Sequence, residues 1–200
     1  MRAVVIYESM YGNTHLIANS IAEGLRKHGE AIVVPVDEAD AALVATADLL
    51  VVGGPTHAHG MSRSSTRKGA ATAAREPESD LVMDPDAMGI GLREWFATIG
   101  DIKTNAAAFD TRFDLPAALT GRASKSIARK LHHHLATVIS PPQSFFVTKK
   151  NRLDPHEEAR ARTWGDRLGF DIDGIGTGIG ILPAATPWSA DPTVTVPGPS

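Results

Sequence analysis

Residues Ala3-Val4-Val5-Ile6-Tyr7 form an unbroken apolar run rich in β-branched side chains, and turn-forming residues follow at once. A strand with one wet face alternates polar and apolar residues. A continuous run reads as a strand covered on both faces, and such strands belong to parallel sheets. The chain is thereby directed to an α/β architecture in which helices cover both faces of the sheet. The remaining sequence supplies the alternation. A helical pattern after Thr14 places Leu16, Ile17, Ile21 and Leu25 on one side, with basic residues in its last turn and Gly29 as its stop. Strands are expected at Ala31–Val36, Leu49–Val52, Ala106–Phe109 and Ser144–Val147. Between and after them, helices are expected at Ala39–Leu43, Ala87–Ile99, Gly121–Leu135 and His156–Leu168, with Trp95 and Trp164 on buried stripes. The expected fold is a three-layer, doubly wound sheet of five parallel strands.

Composition removes several chemistries. The 200-residue chain has no cysteine, so thiolate metal sites, disulfides and cysteine nucleophiles are excluded. Twenty Lys and Arg against 23 Asp and Glu argue against a dedicated nucleic-acid binder. No apolar run is long enough to span a membrane. Residues 1–170 read as one domain. Within it, 61–86 reads as a long basic loop or insertion, with Arg63, Arg67, Lys68 and Arg75 preceding any acid. Residues 171–200, rich in Gly and Pro and devoid of Lys and Arg, read as an extended or mobile tail.

Ligands of open parallel sheets sit beyond the carboxyl ends of the strands. After the first strand comes Ser9-Met10-Tyr11-Gly12-Asn13-Thr14, opening directly onto a helix. Amides at a helix start lack internal partners and the helix dipole is positive there, so the segment suits an anion. Ser, Asn and Thr also cap ordinary helices. The loop has no Lys, which argues against a nucleoside triphosphate, and the G-x-G-x-x-G fingerprint is absent. A terminal phosphate monoester held by neutral donors fits better.

Tyr7 to Thr14 resembles the phosphate loop of the flavodoxin-like family, usually T/S-x-T/S-G-x-T, with Tyr11 as an aromatic variant. The resemblance continues at Gly53-Gly54-Pro55-Thr56-His57, at Ala108-Phe109-Asp110-Thr111-Arg112 and at Gly121-Arg122-Ala123-Ser124, and so covers residues 3–168 in order. It implies strand order 2-1-3-4-5 and non-covalent FMN. It implies that Ser9, Met10, Tyr11, Gly12, Asn13 and Thr14 hold the phosphate. It further implies that Pro55, Thr56, His57, Ala58, His59 and Gly60, with Phe109, Asp110, Thr111 and Arg112, flank the flavin ring, the peptide at Gly60 answering to flavin N5. Flavodoxins proper stack the ring between Trp and Tyr, and neither flanking loop holds either residue. The resemblance is therefore to the broader flavodoxin-like group.

His57-Ala58-His59 admits a metal reading, yet the metallo-hydrolase pattern H-x-H-x-D-H fails at Met61 and Ser62, and no metal is expected. The basic run from Arg63 to Arg75 reads as a solvated loop, a seat for an anionic substrate or NAD(P)H, or a dock for an acidic partner. No catalytic side chain is expected, because a flavin carries the redox chemistry. The expected function is electron transfer through FMN in the cytoplasm, with a redox partner protein or with NAD(P)H and a small quinone-like acceptor. The alternative is a flavodoxin-fold binding module that has lost FMN.

Overall fold

A computed structural model of the chain describes residues 1–57 and 59–176. In chain order it contains β1 (Arg2–Tyr7), α1 (Asn13–Leu25), β2 (Glu30–Pro35), α2 (Ala41–Ala45), β3 (Leu49–His57), β4 (Gly60–Met61) and α3 (Ser64–Ala74). There follow α4 (Leu92–Thr98), β5 (Asn105–Phe113), α5 (Ala117–Thr120), α6 (Ala123–His133), β6 (Thr137–Val138), β7 (Gln143–Val147) and α7 (Glu157–Gly176).

The parallel sheet runs β2-β1-β3-β5, and its fifth position is split. There β6 pairs with the start of β5 and β7 with its end. Ser140-Pro141-Pro142 lies between the two short strands, and a proline cannot donate to a ladder. With the two pieces counted as one position, the order is the expected one. The short β4 folds back antiparallel on the end of β3, pairing Thr56 with Met61 and His57 with Gly60.

Strand alternation sorts side chains into two cores. Val4, Ile6, Leu50, Val52, Ala106 and Ala108 face Trp95 and Phe96 of α4 and Ile127 and Leu131 of α6. Ala3, Val5, Leu49, Val51, Ala107 and Phe109 face Ile17, Ile21 and Leu25 of α1 and Ala161, Trp164 and Leu168 of α7. Both tryptophans expected in the core are there. Complete burial of a large aliphatic side chain contributes about 1.5–3 kcal/mol, so these two layers dominate stability.

β3 and β5 are each nine residues long, longer than their apolar runs predict. They pair from Leu49–Asn105 to Pro55–Thr111, carrying both strands past the core to the carboxyl edge. The segment 61–86 contains α3, whose start is fixed by the Arg63 amide donating to Thr66 Oγ1 at 2.8 Å. α7 continues beyond Leu168 to Gly176, because Ile172 still lies against the second core. The remainder of the expected tail, 177–200, lies outside the described residues.

Candidate functional site

The turn after β1 is built by one left-handed residue. Gly12 has φ +86°, a conformation that costs L-residues energy, and it leads straight into α1. Its amide donates to Ser9 Oγ at 3.1 Å. Its carbonyl accepts the Leu16 amide at 2.9 Å, the first hydrogen bond of the helix. The amides of Asn13, Thr14 and His15 therefore precede any intrahelical partner and face outward from the positive end of a 13-residue helix. Ser9, Met10 and Thr14 are buried, so the loop is packed against the protein and does not sway above it.

Side chains tie this loop to its neighbours. Thr14 Oγ1 lies 2.8 Å from Thr111 Oγ1 at the end of β5. Asn13 Nδ2 donates to the Asn151 carbonyl at 2.9 Å, joining α1 to the loop after β7. Tyr11 donates its hydroxyl to the Ala70 carbonyl on α3 at 3.2 Å. A cleft of about 130 Å³ opens here at the carboxyl edge of the sheet. Ser9, Met10, Tyr11, Asn13, Thr14, Pro55, Thr56, His57, Thr111 and Arg112 all line it, together with Phe113, Val147 and Asn151. Four segments that the sequence places far apart thus converge on one opening.

The cleft is electropositive and poor in acid. The Arg112 guanidinium donates to the Leu115 carbonyl at 2.6 Å and to Thr120 Oγ1 at 3.2 Å, and it lies 4.8 Å from the centre of the Phe146 ring. Its Nε is buried without a partner among the described residues. Burial pushes the His57 imidazole below its ordinary range, so it stands neutral at pH 7. Small-molecule pockets usually span about 300–1,000 Å³. This cleft, at about 130 Å³, is smaller than that and suits a phosphate-sized group; anything larger attached to that group must extend over the rim.

Several expected site residues do not line this cleft. Phe109 is wholly buried in the core, its ring 6.2 Å from that of Phe145, because strand alternation turns it to the α1–α7 side. Asp110, also wholly buried, is structural in its contacts: its Oδ2 accepts the Ser124 amide at 2.7 Å and the Thr56 hydroxyl at 3.1 Å. It thereby caps α6 from a neighbouring strand. His59 lies in the β3–β4 turn, exposed and bridged to Gly121, and Gly60 opens β4. Ala58 lies outside the described residues.

The basic run does not act as one surface. Arg67 is buried and donates to Ser62 Oγ at 3.2 Å and to Glu94 at 3.1 Å, while Arg63, Lys68 and Arg75 are exposed. Ser62 in turn donates to Glu8 Oε1, and Glu8 Oε2 accepts the Leu92 amide at 2.8 Å. This network fastens α3 and α4 to the end of β1. Behind Gly12, His15 stacks on Tyr7 with ring centres 4.3 Å apart, and its Nδ1 lies 3.4 Å from Asp84 Oδ2. Tyr7 donates its hydroxyl to Asp86 at 2.8 Å, and burial followed by that carboxylate pushes its pKa up. Sequence reasoning missed Asp84 and Asp86, which hold the segment before α4 against the loop. It also missed Val147 and Asn151, whose one available signal was position at the end of β7 and in the loop that follows it.

The flavodoxin family model matches residues 5–85. No curated protein sequence matches the chain. A flavodoxin from the domain Archaea superposes with a TM-score of 0.58 at 18% identity, covering 86% of this chain and 99% of that one. Oxidised flavodoxin 1 from Bacillus cereus gives 0.55 at 19% identity, covering 86% and 97%. The flavodiiron protein from Giardia intestinalis gives 0.56 at 18% identity, covering 88% of this chain and 37% of its own. At these identities the likeness is one of fold.

Proposed function

We propose that this flavodoxin-like chain binds FMN non-covalently at the cleft and passes electrons between a donor and an acceptor through it. The observation that supports this reading best is the convergence of unpartnered amides at Asn13, Thr14 and His15 with short hydroxylic side chains on a cleft of phosphate size. The residues present fit the group. Asn13, Thr14 and the loop amides would bind the phosphate, with Arg112 adding positive charge on the opposite wall. Pro55, Thr56, His57 and Phe113 form the rim over which the flavin ring would lie. A neutral His57 adds no charge there, and the buried loop and Phe113 exclude water from one side.

When bound, FMN supplies the redox chemistry. The protein's part is to hold the phosphate, to orient the ring at the sheet edge and to leave one side open to the other reactant. No described side chain is placed as an acid, base or nucleophile in this reading. The donor and acceptor are a redox partner protein, or NAD(P)H with a small quinone-like molecule, in the cytoplasm. No helix among the described residues is long and apolar enough to cross a membrane.

Reconstitution tests the proposal. Protein mixed with FMN and desalted should retain absorbance near about 375 and 450 nm, as a bound flavin does. Riboflavin, which lacks the phosphate, should bind far more weakly. Protein that stays colourless with both would overturn the flavin reading and favour a binding module of the same fold.

A further inference from the structure

We infer that the sheet edge beside the cleft is a docking surface for an acidic protein, formed by the apolar excursion 113–120 and the cationic loop 148–152. β5 and β7 are neighbours in parallel register, with Phe113 opposite Val147. The chain beyond each strand therefore emerges side by side, at strand spacing of about 4.8 Å. On one side Phe113, Leu115 and Leu119 are 44%, 44% and 66% exposed. Scattered exposed apolar residues are ordinary, but three within seven positions make a patch. The patch is ordered: Arg112 donates to the carbonyls of Phe113 and Leu115 and to Thr120 Oγ1, closing the excursion on itself.

On the other side Lys149, Lys150 and Arg152 are exposed, and no ion pair involves them among the described residues. Asn151 stands between them and accepts from Asn13, so this loop too is fixed at the mouth of the cleft. Arg112 donates to carbonyls and a hydroxyl, and no carboxylate pairs with it among the described residues. Asp114 is the one acid in either segment. A chain whose formal net charge is −3 thus presents three exposed cations and one carboxylate around an apolar centre at this edge. An apolar centre with a charged rim is the anatomy of a protein interface, and the sign of the rim selects an acidic partner and repels a basic one.

This inference rests on the flavin reading only for its purpose, which is to bring an electron partner to the cofactor's edge. The contact itself needs no flavin. The test is binding of the full chain to two probes, a plant-type ferredoxin as a small acidic protein and cytochrome c as a basic one. The acidic probe should bind and should lose about tenfold in affinity as salt rises from about 20 to about 200 mM, since exposed charges are screened over that range. The Lys149→Glu/Lys150→Glu variant should abolish binding. The Leu115→Ser/Leu119→Ser variant should weaken it without changing the salt slope. Absent ferredoxin binding, binding indifferent to charge reversal, or tighter binding of cytochrome c would each overturn the inference. So would self-association of the chain that the leucine variant removes while ferredoxin is ignored. Absorbance of the same samples after FMN loading reports the cofactor separately: a colourless chain that binds ferredoxin keeps the surface and loses the flavin, and a yellow chain that ignores it does the reverse.

Discussion

Gly24 of α1 and Gly165 of α7 lie against each other where the two helices cross. A Cβ on Gly24 would meet the Arg162 carbonyl and the Asp166 amide, and one on Gly165 would meet the Ile21 carbonyl. The helices pack backbone to backbone, and α7 is held against α1 at that distance. Gly165→Ala should therefore destabilise the fold by about 2 kcal/mol or more, despite the better helix propensity of alanine. Gly69→Ala in α3, where the added methyl meets nothing within 4 Å, should be stabilising by about 0.5–1 kcal/mol. Urea unfolding of the two variants checks the contrast; a stabilised Gly165→Ala would refute the close crossing.

Two changes in the loop after β1 should separate phosphate from ring. Gly12→Ala forces a methyl-bearing residue into φ +86°, and Thr14→Val removes the hydroxyl shared with Thr111. Each should weaken FMN binding by tenfold or more, about 1.4 kcal/mol, and leave riboflavin binding nearly unchanged. Fluorescence titration with both flavins decides it, and equal losses would remove the loop from the phosphate.

How far the sequence disclosed the molecule depends on whether a feature is local. The buried run 3–7 and the residues after it are contiguous, and the loop stands where they put it. The course of β3 and β5 beyond their apolar runs is not local. Those ends are strand because they pair with each other, although Gly53, Gly54 and Pro55 disfavour a strand locally. Phe109 was expected beside a flavin because of its place in a motif. Its side is fixed by strand alternation, which puts Phe109 on the same face as Ala107, toward α1 and α7. The split of the last strand was written in Pro141-Pro142. The contribution of Asn151 was not, because nothing in the loop itself says that Asn13 will reach it.

Asp110 should prove a stability residue. Replacing it by alanine leaves the Ser124 amide and the Thr56 hydroxyl without their shared acceptor. The expected cost is about 1.5–3 kcal/mol, the range for hydrogen bonds to a carboxylate. Amide exchange at Ala123 and Ser124 should accelerate in the variant. Unchanged protection there would mean that α6 is capped by something else.

His28 gives the fold a pH dependence. Its ring contacts Asp166 and Asp173, each at 2.8 Å, and the Asp166 carboxylate, followed by Asp173, outweighs desolvation and raises its pKa. A raised folded-state value means stability fully present below the ordinary histidine range and lost as pH rises through the higher folded value. The melting temperature should fall across that interval in the wild type and stay flatter in His28→Gln. Identical slopes would show that the contact between the end of α1 and α7 does not depend on the imidazolium.

The outermost position of the sheet on the β5 side is shared by two short strands with consecutive prolines between them. A long straight margin offers a stranger's backbone a row of open donors and acceptors, the usual beginning of aggregation. Here the row is interrupted before a visiting strand could gain more than a few rungs. The two prolines make that flank of the molecule a poor template, so it can remain at the surface without recruiting further chains.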